Sequence, residues 1–360
     1  MNYSDNEKAI IWLDGFAPLS KEQKLRILRC TRDPASILRD VTVLKSFVGR
    51  EISEQTYTLL EGAVEINYLN SVLSSLEKSG TVAVTCMSDD YPDKLLSIDD
   101  PPLALYCKGN IGLLNSDKIF AIVGSRKTLP AIISKAEEFS KEISESGVCI
   151  ITGLAEGVDS AAIRGAMDSG GIISFLPGGF NHVYPQFNRS LFESVCKGGL
   201  AVSEYNPNVV SRPYFFPERN RLIAALSDGV LVCSAGKKSG TSYTADYANT
   251  YGRTVFAFPY SLGVPSGEGC NALIKEFACL CDSVDDIYLS LGISAKKKDG
   301  IPLKSVEQKV FDCIKEGEIH IDLLLQKTGM KIFEINPVLT MLEIKKYIVK
   351  NPGNTYSSIK

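Results

Sequence analysis

From Ile119 onward, short and mainly apolar runs alternate with amphipathic stretches, and most runs end in a small polar loop carrying glycine. The runs are Ile119–Val123, Val148–Ile151, Ile172–Leu176, Leu200–Val202, Val230–Cys233 and Thr254–Phe258. A strand with no polar alternation is buried on both faces, which requires helices above and below a mainly parallel sheet. The intervening patterns supply them: Ala131–Ser146, closed by Gly147, and Asp159–Asp168 both read as helices. The expected fold class is therefore α/β, with a doubly wound parallel sheet.

At 360 residues the chain is too long for one ordinary domain. Residues 1–80 read as short helices, and 81–118 as a connecting segment with turn signals at Tyr91-Pro92 and Asp99-Asp100-Pro101-Pro102. The sheet-forming core, with that segment, spans 81–292. A solvated linker, 293–302, carries Lys296-Lys297-Lys298-Asp299-Gly300. Residues 303–360 hold three helical patterns and a small hairpin, which describes a winged helix. No run approaches the ~20 apolar residues that span a bilayer, and the first residues lack the basic start of a signal peptide. A cytoplasmic location with no membrane partner is expected. Ten cysteines occur without a Cys-x-x-Cys pair, and there are only two histidines, so reduced thiols and no metal site are expected. A net charge of −3 excludes a globally basic nucleic-acid coat; any such contact must be a local patch.

The chemistry sits in the loops. Gly124-Ser125-Arg126 ends the first run, where a doubly wound sheet binds ligands beyond its strand ends. Gly124 lets backbone approach an anion and Arg126 offers a bidentate fork, although an ordinary strand-to-loop turn would look similar. Gly153 and Gly157 open the next helix and can aim N–H groups at a phosphate; Asp159 there also reads as a plain helix cap. Gly178 and Gly179 repeat the device after the third run. Arg219-Asn220-Arg221, ahead of an apolar helix, sets two guanidinium forks around an amide, a set suited to phosphate, sugar and base edges or to structural ion pairs. Lys237-Lys238-Ser239-Gly240-Thr241 adds two ammonium groups to a further anion-binding helix start. Together these loops describe a wide anion-binding groove. No histidine pairs with a nucleophile in them, and no acidic cluster offers metal ligation, so no catalytic residue and no cofactor is expected.

These runs, in this order, resemble the DNA-processing protein A (DprA, or Smf) family. The likeness rests on Gly124-Ser125-Arg126, Gly153-Leu154-Ala155 with Gly157 and Asp159, Tyr184-Pro185 with Asn188, Phe216-Pro217-Glu218-Arg219-Asn220-Arg221, and Ser239-Gly240-Thr241 with Thr244-Ala245. It covers Tyr91 to about Ile287. The resemblance implies an extended Rossmann-like core, an N-terminal helical domain of the SAM type and a C-terminal winged helix. It further implies a homodimer that binds single-stranded DNA and loads the recombinase RecA onto it, helping to displace or bypass single-strand-binding protein as a further partner, as in natural transformation. The phosphate-binding role would fall on Ser125, Arg126, Arg219, Asn220 and the Ser239–Thr241 loop.

The chain departs from the family pattern at four positions. Glu156 stands where Arg is common, Ile163 where His is common, Ser234 where Glu is usual and Tyr260 where Gly is usual. Glu156 takes a cation from the groove and lowers the expected affinity for DNA. The rival reading is a nucleotide hydrolase of the lysine-decarboxylase-like (LOG) type, or a nucleotide sensor of the same fold. The hydrolase loop needs a Glu three residues after its Gly-Thr pair; here that position holds Thr244, so an acid–base carboxylate is missing from it.

Overall fold

The computed structural model describes residues 2–65, 68–168, 171–237, 239–293, 303–345 and 347–359. Residues 294–302 of the expected linker lie outside them. The chain forms two compact units, Met1–Ala295 and Lys296–Lys360.

The first unit is built on a nine-stranded sheet of order β1-β2-β6-β5-β4-β3-β7-β8-β9. The strands are β1 Val82–Thr85, β2 Ala104–Gly109, β3 Ile119–Gly124, β4 Cys149–Thr152, β5 Ile172–Leu176, β6 Leu200–Ser203, β7 Gly229–Ser234, β8 Thr254–Ala257 and β9 Cys279–Leu280. From β6 through β9 all pairings are parallel, while β1 with β2 and β2 with β6 are antiparallel. Alternate residues of one strand enter different cores: Phe120 and Ile122 pack on one face of the sheet, Ile119, Ala121 and Val123 on the other. This is the α/β, doubly wound class expected from the unbroken apolar runs.

The segment 81–118 is more than a connection, because it adds β1 and β2 to the sheet edge. Both are short, and Tyr106 and Cys107 of β2 are fully buried. The helices before residue 80 pack directly onto this edge. Ile11, Val72 and Leu76 join the core around Ala83 and Tyr106, and Leu103 joins the core around Trp12. That burial makes Met1–Ala295 one compact body.

The second unit has helices Ser305–Lys315, Ile321–Thr328 and Ile332–Ile344, with a sheet of order β10-β12-β11. Its strands are β10 Ile319–His320, β11 Ile348–Asn351 and β12 Thr355–Ser358. This is a winged helix. Val310, Ile314, Leu324, Ile335 and Leu342 close its core, and Gly329 ends the second helix in the left-handed conformation at φ 71°. Among the described residues, no helix is long and apolar enough to cross a membrane.

Candidate nucleic-acid interface

The chain runs outward from β3 through β4 and β5 to β6, then returns to the other side of β3 as β7. The carboxyl ends of β3 and β7 therefore border the crevice where the winding reverses, the ordinary ligand position of such sheets. A cavity of about 340 Å³ opens there. Gly124, Ser125, Arg126, Arg219, Asn220 and the Ser239–Thr241 turn all line it.

Glycine makes this crevice by steric necessity. A Cβ on Gly124 would lie 2.5 Å from the Val158 side chain. Gly157 has φ +83°, and a Cβ there would sit 2.5 Å from the Arg126 carbonyl oxygen. The two loops thus close backbone against backbone. A Cβ on Gly153 would meet Arg219 Nη1 at 2.1 Å and Asp159 Oδ2 at 2.3 Å, so this glycine makes room for a buried guanidinium and carboxylate.

Arg219 is only 6% exposed. Its Nη1 donates to the Phe175 carbonyl at 2.6 Å and its Nε to Asn220 Oδ1 at 3.0 Å. Burial pulls the Arg219 guanidinium below its ordinary range, and the neighbouring Asp159 opposes that pull. Burial likewise pushes the Asp159 carboxyl up, against the attraction of Arg219. Asp159 accepts from the Ala155 N–H at 3.3 Å, and Gly157 holds the capping position of the helix Val158–Ala166. Asp159 is therefore the counter-ion in the cavity wall rather than a plain cap.

Above this floor the groups are open. Arg126 is exposed and lies over the Phe216 ring, 5.2 Å from its centroid. Phe216 in turn meets Tyr184 edge-on at 5.7 Å. Asn220 Nδ2 donates to the Gly240 carbonyl at 3.2 Å, tying two helices together across the cavity. The helix Gly240–Thr250 presents its amino end to the same space, capped by Ser239, whose hydroxyl accepts from the Thr241 N–H. The positive end of a helix dipole beside an exposed guanidinium has the charge that suits a phosphate oxygen. Lys237 is exposed just before it, and Lys238 lies outside the described residues.

A second cavity of about 610 Å³ adjoins the first at Arg126 and is lined further by Lys127, Glu156, Gly157, Arg164 and Asn188. Lys127 and this extension went unread in the sequence, although Lys127 directly follows the Gly-Ser-Arg run. Glu156 faces solvent here, and Arg164 Nε is engaged by Glu137 at 3.0 Å.

The structure does not bring every expected residue to the groove. Arg221 is 3% exposed and donates through Nη2 to Glu204 Oε1 at 2.6 Å, with Nε 3.0 Å from Asp100 Oδ2. Residues two apart on a helix point to different sides, so Arg219 and Arg221 cannot both line one cavity. Arg221 is a structural ion-pair residue in this geometry. Gly178 and Gly179 also serve packing: Cβ atoms there would strike Ser211 and the Asn206–Pro207 backbone. The Gly179 N–H is used by the Val209 carbonyl at 2.8 Å. Among the described residues, no group of three or more His, Cys, Asp or Glu could hold a metal ion.

Residues 82–292 match the family model of DNA recombination-mediator protein A, and residues 294–354 match that of the DprA winged helix domain. The DNA processing protein DprA of Bacillus subtilis is 36% identical over 224 residues, covering 62% of this chain and 75% of that one. Protein Smf of Escherichia coli is 32% identical over 302 residues, 79% of each chain. The crystal structure of DNA processing protein A from Streptococcus pneumoniae superposes with a TM-score of 0.69 at 29% identity, covering 80% of this chain and 98% of that one. A solved structure of DNA processing protein A from Helicobacter pylori, described for its single-stranded DNA binding mode, gives 0.54 at 29% identity, covering 59% of this chain and 95% of that one.

Proposed function

The chain belongs to the DNA recombination-mediator protein A family, and from that premise we propose that it binds single-stranded DNA along the strand-end groove and delivers it to the recombinase RecA. The observation that carries the reading is the pairing of chemistries at the β3–β7 crevice. An exposed guanidinium and a helix amino end suit a phosphate, and the Phe216 and Tyr184 rings beside them suit unpaired bases. A groove that tracks a backbone and stacks bases prefers single strands and reads little sequence. The adjoining cavity at Lys127 continues the path.

Binding rather than hydrolysis is supported by where the carboxylates go. Asp159 is buried against Arg219, while Glu204 and Glu218 bond Arg221, Lys21 and Tyr205 on the far side of the Phe215–Leu226 helix. Glu156 faces open solvent in the second cavity. None of them is held as a base over the phosphate position. The protein acts in the cytoplasm as a homodimer; the outermost strand β9, with exposed Leu280, offers a sheet edge to a second copy.

The test is a titration of labelled single-stranded and blunt duplex oligonucleotides at two salt concentrations. The single strand binds more tightly, and its affinity falls with salt as fewer counterions are released. Equal affinity for the duplex, or no response to salt, sinks the reading.

A further inference from the structure

The helix Phe215–Leu226 that carries Arg219 and Asn220 has no side-chain cap on its own amino end. It is gripped there from outside, by a group more than 190 residues away in sequence. Lys21 is the first residue of the helix Lys21–Cys30, whose start is fixed by a reciprocal Ser20–Gln23 cap. Its Nζ donates to Glu218 Oε2 at 2.9 Å and to Glu204 Oε2 at 2.9 Å. The ammonium also lies over the Tyr205 ring, 4.9 Å from the centroid. Tyr205 donates its hydroxyl to the same Glu218 oxygen and stacks on Phe215 at 4.0 Å. Glu204, 8% exposed at the end of β6, holds Arg221 of the same helix. Glu218 immediately precedes Arg219, so the grip acts one residue from the cavity floor.

Lys21 does not reach the groove. It lines a separate cleft of about 830 Å³ with Glu204, Tyr205 and Glu218, and that cleft shares no lining residue with the β3–β7 cavity. One helix therefore presents phosphate-facing groups on one side and receives the N-terminal helices on the other. We propose that Lys21 is a positioning residue for the groove: the N-terminal helices, through this ammonium, hold the amino end of the Phe215–Leu226 helix so that Arg219 and Asn220 keep their aim. The inference rests on the reading of the groove as a single-stranded DNA site.

The experiment compares wild type with Lys21→Met, Lys21→Arg and Glu218→Gln. Three quantities are measured: affinity for a labelled oligothymidylate at several salt concentrations, melting temperature, and hydrogen exchange across 215–226 without DNA. Lys21→Met weakens binding roughly 2- to 30-fold, the range of coupling carried through a packed element. The slope of log affinity against log salt stays at the wild-type value, because no phosphate contact is lost. Exchange rises at the amino end of the helix and not in the central strands, and Lys21→Arg restores most of the affinity. If Lys21→Met does not fold, Glu218→Gln, which keeps the packing volume, carries the same expectation. A slope reduced by about 1 makes Lys21 a direct phosphate ligand and overturns the proposal. Unchanged exchange or unchanged affinity in a folded variant overturns it as well. Failure of the wild type to bind any oligonucleotide instead overturns the groove reading, and the exchange comparison by itself still decides whether Lys21 fixes the helix.

Discussion

Arg126 and Arg219 border one cavity yet sit on opposite sides of the line between binding and folding. Arg126 is exposed over an aromatic ring and has no ion pair within 4.0 Å among the described residues, so Arg126→Ala leaves the folded state almost unchanged. A charged hydrogen bond to phosphate is worth about 1.5–3 kcal/mol, so single-strand affinity falls roughly tenfold or more. The salt slope falls by about 1 and the melting temperature holds within a few degrees. Unaltered binding by the Ala variant refutes the assignment. Arg219→Ala behaves differently, because it strips Asp159 of its counter-ion and the Phe175 carbonyl of its donor. Breaking a buried pair costs about 3–5 kcal/mol, which lowers the melting temperature by roughly 5–15 °C along with the affinity. A melting curve that overlays the wild type contradicts this. The Gly-Ser-Arg turn and the Ser-Gly-Thr helix start were legible in the sequence, since their chemistry is local. The burial of Arg219 was not, because it depends on Gly153 and Phe175, which reach it only through the sheet. The opposite facing of Arg221 follows from helical geometry, but only once the helix is known to begin at Phe215, before the motif rather than after it.

At the scale of elements, the Phe215–Leu226 helix joins the two faces of the site, and its grip responds to acid with a definite sign. Burial would raise the Glu218 carboxyl, but hydrogen bonds from Tyr205 and Lys21 outweigh it and hold the group below its ordinary 4.5. A carboxylate depressed in the folded state contributes stability that is complete above the unfolded value. That contribution is lost as pH falls through the lower, folded value. Glu218→Gln therefore melts below the wild type at pH 7, and the gap begins to close as pH falls below the ordinary 4.5 and is gone once pH has passed the lower, folded value, where both side chains are neutral. A gap that is already present at pH 7 and does not shrink at all as the protein is acidified until it unfolds shows that the ionised form is not what grips Lys21. Six central strands could be read from unbroken apolar runs because both of their faces are covered. β1 and β2 could not, since the turn residues of 86–102 between them masked two short runs at a sheet edge. The packing of the first helices against that edge was equally hidden. Ile11 and Trp12 announce an apolar face, and nothing in their neighbourhood says that Ala83 and Leu103 cover it.

Across the whole molecule, every residue assigned to the groove lies in Met1–Ala295, and the winged helix carries none of them. Its three helices and hairpin were readable from local pattern alone, as expected of a small unit with short-range contacts. Its surface is a different matter. A helix that reads duplex DNA offers polar donors to base edges. The third helix, Ile332–Ile344, instead exposes Ile332, Phe333, Met341 and Ile344, with Phe333 at 67% and Ile344 at 69%. Of the basic pair at its end, Lys345 is turned inward to Glu307 at 2.7 Å, and Lys346 lies outside the described residues. A face of this composition suits protein contact better than a polyanion. Truncation after Gly292, which ends the helix Val284–Leu291 in the left-handed conformation, leaves the sheet, both cavities and the N-terminal helices intact. The fragment is expected to keep single-strand affinity within about threefold and to retain the same salt slope, since the phosphate contacts that set that slope are unchanged. Titration of fragment and full chain side by side, with mass measurement to compare their oligomeric states, gives the answer. A drop of tenfold or more in a folded fragment of unchanged oligomeric state places DNA contacts on the winged helix and removes the strand-end groove as the sole path of the strand.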